Sequence, residues 1–411
     1  VRVLIVNSSD LEGGAARAAY RLHHSLLKEG VDSKLLVQSK VSDDFTVLGP
    51  ISKVEKLASR IRPLLDSLSN RRYERRTKTL YSSSWLPFSN VVERINALNP
   101  DIVHLHWVAS GMMRIEDVAL INAPIVWSLH DMWPFTGGCH YDELCGAFKN
   151  ACGRCKVLGS SVEADLSRKV FLRKQKAFEK KKNITIVGLS RWLAREAKES
   201  QLFSGYSVVN LPNPIDTNIF APFEKSKARE LLRLPQNKKL ILFGAMAATS
   251  DPRKGFRELS EALEQLEVQD VELVVFGASS PEKNTSFKQK THYLGRLHDD
   301  VTLRVLYSAV DVMVVPSLQE NLSNVIMESL ACGTPVVGFN VGGNPDLVDH
   351  RVSGYLAKPY DIEDLVRGLI WVLENENTNA VSSLARQKVT REFEQSHVAM
   401  QYINLYRTIL A

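Results

Sequence analysis

No apolar run in the 411-residue chain approaches the ~20 residues that a membrane-spanning helix needs, which excludes a helical membrane protein. The opening stretch from Val1 to Val6 is too short for the core of a signal peptide and is followed at once by polar Asn7, Ser8, Ser9 and Asp10, so a cytoplasmic location is expected. No self-similarity at a period of 20 to 50 residues marks a solenoid, and there is no low-complexity tract. The G-x-G-x-x-G of dinucleotide enzymes is missing. What is present is ordinary for a folded chain: 44% hydrophobic, 24% charged and 8% aromatic residues. The length exceeds the size at which single cores stop growing, so two domains of roughly 200 residues are expected.

The net charge of +6 is unevenly spread. Residues 1–183 hold 28 Lys and Arg against 19 Asp and Glu, a balance of +9, while the remainder holds 24 against 27, or −3. Two dense runs, Arg71 to Lys78 and Arg173 to Lys182, could face an anionic membrane surface, a phosphorylated substrate or a nucleic acid, or be solvated helix faces.

The organisation is α/β. A buried strand over Val1 to Val6 leads through Gly13-Gly14 into a helix with Ala15, Ala18, Ala19, Leu22 and Leu26 at helical spacing, stopped by Gly30. Further strands are expected at Val31 to Val37, Asp101 to His106 and Pro124 to Leu129. A second series, at Lys239 to Phe243, Val271 to Phe276, Asp311 to Val315 and Thr334 to Phe339, follows the proline-bearing connection Leu211 to Asp216. Strands alternating with helices argue two doubly wound parallel sheets, one per half. The stretch from about 51 to 80, with Leu57, Ile61, Leu64, Leu65 and Leu68, reads as a helical insertion.

The sharpest signal runs from Pro316 to Val337. Glu320 ends a loop at the carboxyl end of a strand, and Glu328 is expected two turns into the next helix, roughly 12 Å away along its axis. Free N–H groups at a helix start attract a diphosphate, so the spacing suits a nucleotide-diphosphate-sugar.

Glu320 to Glu328, continued by Ser329-Leu330-Ala331-Cys332-Gly333-Thr334-Pro335-Val336-Val337 and Gly342-Gly343-Asn344-Pro345-Asp346, resembles the Glu-x7-Glu signature of retaining GT-B-fold glycosyltransferases, the large family that serves bacterial surface-polysaccharide assembly. The resemblance implies two Rossmann-like domains facing a central cleft: an acceptor-side domain over 1–190, with a C-terminal helix at about 391–411 packing back on it, and a nucleotide-sugar domain over 191–390. It implies that Glu320 contacts the donor sugar, Glu328 the ribose, and the backbone of Asn321, Leu322 and Ser323 the sugar and phosphate. Lys254 and Arg253, opening a helix after Asp251-Pro252, would neutralise the diphosphate. The family often has Gly-Arg at the end of the preceding strand, where this chain reads Phe243-Gly244-Ala245-Met246. Leu294, in Tyr293-Leu294-Gly295-Arg296-Leu297, matches a strand end whose backbone reads the base. Gly13 and Gly14 resemble a loop that brings backbone N–H groups to donor phosphate and acceptor, and His130 a strand-end histidine facing the donor sugar.

The implied function is a retaining hexosyl transfer from a nucleotide-sugar, expected to be UDP-linked, to a lipid-linked or polysaccharide acceptor. The enzyme would act from the cytoplasm, as a peripheral protein at the inner face of the membrane. No metal is expected for the chemistry, since cations and helix dipoles serve instead and no Asp-x-Asp lies beside the donor site.

Cys139, Cys145, Cys152 and Cys155 form a separate cluster, the last two as Cys-x2-Cys. A structural tetrahedral zinc, an iron–sulfur cluster and unliganded thiols are all open readings. Two other functions remain in view. A zinc-bearing nucleic-acid-binding protein would use the cysteines and basic runs, although Tyr73 and Phe178 are the only aromatics in those runs. An inactive nucleotide-sugar-binding relative would look alike in sequence.

Overall fold

The computed structural model describes residues 1–244, 251–277, 287–297 and 299–411. The chain forms two units: Val1–Pro214 with Ser396–Ala411, and Ile215–Gln395. The division falls inside the proline-bearing connection, later than the expected boundary at 190. Residues 191–214 stay with the first unit because they carry a helix, Arg191–Glu199, and a strand that extends the first sheet.

In the first unit seven strands run parallel: β1 (Arg2–Ser9), β2 (Asp32–Ser39), β3 (Val47–Leu48), β4 (Ile102–Leu105), β5 (Ile125–Leu129), β6 (Ile184–Gly188) and β7 (Ser207–Asn210). Their order is β3-β2-β1-β4-β5-β6-β7, so strand order reverses between β1 and β4. Parallel strands covered on both faces must be apolar throughout, and Val3 to Val6, Ile102, Val103 and Ile125 to Trp127 are buried accordingly. One face packs Ala19, Leu22 and Leu26 of helix Gly14–Lys28 together with Val398, Ala399, Tyr402 and Tyr406 of the last helix, Gln395–Leu410. That helix is tied in by polar contacts as well, since Tyr406 Oη lies 2.7 Å from His104 Nδ1.

The second unit has a six-stranded parallel sheet of β8 (Lys239–Gly244), β9 (Val271–Phe276), β10 (Thr291–Tyr293), β11 (Val312–Val315), β12 (Val336–Phe339) and β13 (Gly354–Ala357). The order β10-β9-β8-β11-β12-β13 reverses between β8 and β11. Both sheets are therefore doubly wound, and in such sheets ligands bind beyond the carboxyl ends of the strands at the reversal. No helix among the described residues is long and apolar enough to cross a membrane.

Candidate donor site and its setting

Beyond β11 the chain runs as an irregular loop through Glu320 before helix Asn324–Ala331 begins. Glu328 is thus the fifth helical residue and lies little more than one turn in. The axial estimate of its distance from Glu320 does not apply, because the first half of the interval is not helical. Two glycines let neighbouring segments close on this loop. Gly255 has φ +73, and a Cβ there would stand 1.9 Å from Pro316 O; Gly342 has φ +55, and its Cβ would stand 1.8 Å from Glu320 O. Only glycine fits such approaches. The turn Pro252–Lys254 is capped by Asp251, whose carboxylate accepts from Arg253 N–H at 3.0 Å.

These turns deliver two cations to one carboxylate. Lys254 Nζ donates to Glu320 Oε2 at 2.7 Å, and Arg253 Nη1 lies 3.5 Å from the same oxygen. Arg253 is also held by Gln319 O at 2.8 Å and Asp251 Oδ2 at 3.1 Å. Burial raises the Glu320 pKa, but the charges of Lys254 and Arg253 and the Lys254 hydrogen bond outweigh it and bring it down to about 2. Asn321 N–H also approaches the carboxylate, at 3.3 Å, and Leu322 and Ser323 are buried beside it, the Ser323 side chain making no cap to the helix that follows. Glu328 is buried, and its Oε2 accepts from Tyr307 Oη at 2.8 Å. Tyr307 comes from helix Asp300–Ala309, and no local pattern in the sequence marks it as a partner of Glu328. Leu294 N–H is taken by Val275 O at 2.9 Å, so its carbonyl is the backbone group that could meet a base. Of the departure at Phe243 to Met246, Ala245 and Met246 lie outside the described residues.

In the first unit the Gly-rich loop leaves β1 at the sheet reversal. Gly13, at φ +101, opens helix Gly14–Lys28. Buried Asp10 fixes this loop, accepting from Leu11 N–H at 3.0 Å, Val41 N–H at 3.0 and 3.1 Å and Ser42 N–H at 2.9 Å.

His130 follows β5. Its Nε2 lies 2.8 Å from Nδ1 of buried His106, whose own Nε2 is buried without a partner. An orphaned N–H is rarer and costlier than an orphaned lone pair. The network therefore assigns the His106 proton to Nδ1, donating to His130, and the His130 proton to its Nδ1. Burial lowers the His130 pKa to about 4 against the pull of Asp131, which keeps the ring neutral.

The run Arg173 to Lys182 is a basic face only in part: Lys176, Lys180 and Lys182 are exposed, while Arg173, Lys174 and Lys181 turn inward. Arg173 pairs with Glu116 at 2.7 Å, and Lys181 donates to Ile121 O and Ala123 O at 2.5 and 3.0 Å. Lys174 is buried, donating to Trp133 O and, at 3.0 Å, to Thr136 O, with its ammonium 4.0 Å from the Trp133 ring centre. The four clustered cysteines gather in one region: burial, and after it the neighbouring Cys155, Cys152 and Cys145, raise the Cys139 thiol pKa. Among the described residues the one set of three metal-type side chains whose ligand atoms all lie within 4.8 Å of one another is His23, His24 and Asp44. In that set His23 is spent on Ser33 and Thr46 at 2.8 and 2.7 Å. Cys139 and Cys155 pack with Tyr81, Val157 and Leu158, Cys152 Sγ accepts from Gly137 N–H at 3.1 Å, and Cys145 is exposed.

Over residues 224–388, which hold the donor-site residues of the second unit, the chain matches the family described as Glycosyl transferases group 1. It is 27% identical over 346 residues to an uncharacterized glycosyltransferase of Methanocaldococcus jannaschii, covering 77% of this chain and 86% of that one. It is 32% identical over 216 residues to a D-inositol 3-phosphate glycosyltransferase of Saccharomonospora viridis, about half of each chain (48% and 49%). Among solved structures, Anabaena HepE in complex with UDP-glucose superposes with a TM-score of 0.67 at 15% identity, covering 99% of both chains. Residues 224–388 thus match the group 1 glycosyltransferase family, and the two parallel-sheet Rossmann-like units share the fold of GT-B glycosyltransferases.

Proposed function

We propose that the protein is a retaining glycosyltransferase that takes a sugar from a nucleotide-diphosphate donor, UDP-linked, and passes it to a lipid-linked or polysaccharide acceptor. The observation that carries the donor half is the convergence of Lys254 and Arg253 on buried Glu320 at the reversal of the second sheet, just ahead of the start of helix Asn324–Ala331. Two cations and a helix start are what a leaving diphosphate needs. The UDP-glucose held by HepE favours a uridine donor for this chain. The acceptor class follows from the sequence resemblance alone.

In the proposed reaction the bond from the anomeric carbon to the diphosphate breaks, and the acceptor oxygen bonds to that carbon on the same face. The acceptor proton passes to an oxygen of the departing diphosphate. Lys254 and Arg253 balance the charge that develops there, Glu320 holds the sugar, and Glu328, oriented by Tyr307, meets the ribose. Gly13 and Gly14 are assigned to donor phosphate and acceptor, and His130, neutral and protonated at Nδ1, to orientation of the sugar.

The test is ligand-induced thermal stabilisation of the full chain by UDP, GDP and ADP, with Glu328→Gln and Lys254→Gln alongside. Stabilisation by UDP that both variants reduce at least tenfold in apparent affinity is the expected result; no stabilisation by any nucleotide would overturn the reading. An α-linked product from an α-linked donor, read by NMR, tests retention.

A further inference from the structure

We propose that helix Lys53–Asp66 and the aromatic loop beside it dock the first domain on an anionic lipid bilayer. The helix is inside out. Val54, Leu57, Ile61, Leu64, Leu65 and, just past its end, Leu68 are each between 39% and 77% exposed. At 3.6 residues per turn they fall within an arc of about 100°, one continuous stripe. Asp66, Arg62 and Glu55 point the other way. Asp66 is buried against Trp85 N–H, Arg62 donates to Gly111 O, Pro87 O and Leu86 O at 2.6, 3.0 and 3.1 Å, and Glu55 accepts from Asn90 Nδ2 at 2.8 Å. A helix packed on a protein core shows the opposite arrangement, and an apolar patch of this extent on a surface marks an interaction site.

The aromatic loop points to the same conclusion. Phe88 is 98% exposed and sits at φ +61, a costly conformation for a bulky residue, while the carbonyl next to its ring is within reach of Arg62. Trp85 is exposed nearby. Aromatic and aliphatic side chains over a basic rim are the composition of helices that lie in the plane of a membrane interface.

Charge selects the occupant. Lys53, Lys56 and Arg60 are exposed along one edge of the stripe, and Arg71, Arg72, Arg75, Arg76 and Lys78 are exposed just beyond it. Of the three acids in residues 51–78, Glu74 is exposed, Asp66 is buried, and Glu55 is tied up by the N–H groups of Ile51 and Ser52 and by Asn90. A second copy of the chain on this face would set like charges against each other, whereas an anionic bilayer accepts both the stripe and the rim.

The test is flotation of the full chain with vesicles of phosphatidylglycerol and phosphatidylethanolamine, and with vesicles of phosphatidylcholine alone. The chain is expected to float with the anionic vesicles. Leu57→Gln/Ile61→Gln/Leu64→Gln should lower the bound fraction at least tenfold, and Lys53→Gln/Lys56→Gln/Arg60→Gln severalfold, with weaker binding throughout at about 0.5 M salt. All six positions are exposed, so both variants should fold and keep nucleotide-induced stabilisation, which separates this result from the fate of the donor-site reading. Failure of the unaltered chain to float, or equal flotation of the apolar variant, would overturn the proposal. So would sedimentation showing self-association that the apolar variant abolishes, which would assign the face to a contact between copies.

Discussion

Glu320 is a charge kept out of water by its surroundings and kept ionised by Lys254 and Arg253. Removing Lys254 leaves Arg253 alone to balance buried Glu320, so Lys254→Ala should cost about 1–3 kcal/mol in urea unfolding, below the ~3–5 of a fully unpaired buried charge, and Lys254→Ala/Glu320→Gln should recover most of that. Because the folded pKa, about 2, lies below the ordinary 4.5, the stabilisation from this carboxylate is present above about pH 4.5 and lost as pH falls toward 2. A Lys254→Ala/Glu320→Gln chain should therefore lose the steep part of the acid-unfolding curve in that window. Gly342→Ala is the complementary prediction. A methyl group 1.8 Å from Glu320 O must displace the loop, and nucleotide-induced stabilisation should disappear while the first unit remains folded by circular dichroism.

Among the elements, the loop from His130 to Cys155 is held by a buried lysine. Burial brings the Lys174 pKa down to about 7, and its ammonium sits on two carbonyls and an indole of that loop. Lys174→Met should leave those carbonyls without donors and loosen the loop. In the native chain one thiol, Cys145, should react quickly with a disulfide reagent, and the variant should show two or more fast thiols. This is also where reading from sequence stops. Strand–turn–helix units and the connection near 211–216 are readable because their signals are local and periodic, as are Glu320 and Lys254, which stand in contiguous motifs. The strand Ile184–Gly188 is masked in sequence by the Lys180 to Lys182 run before it, and Ser207–Asn210 by having only two apolar residues. Tyr307, His106 and Asp10 owe their roles to partners 21, 24 and about 31 positions away, a relation no spacing rule encodes. The inward turn of Arg173, Lys174 and Lys181 is of the same kind, since composition counts charges but not the carbonyls that receive them.

For the molecule as a whole, several histidines are folded in the neutral state. Burial lowers His23 and His130 to about 4 and His104 to about 3. The unfolded chain takes up these protons near pH 6.5 and the folded chain does not, so stability falls as pH drops from about 6.5 toward 4, by several kcal/mol in all. The melting temperature measured from pH 8 to 5 should be flat above 7 and decline below 6.5, ahead of the window in which Glu320 titrates.

The last helix, Gln395–Leu410, belongs to the first unit, where it covers one face of the sheet and supplies the Tyr406 hydroxyl to His104. The first unit is therefore completed only by residues 396–411. During synthesis the second unit has all of its residues before the first one does, and the first sheet must wait with an apolar face open until residues 396–411 have emerged. A product stopped at residue 395 would hold an intact second unit attached to a first one that cannot close, and quality control should remove it even though every candidate donor-site residue is present.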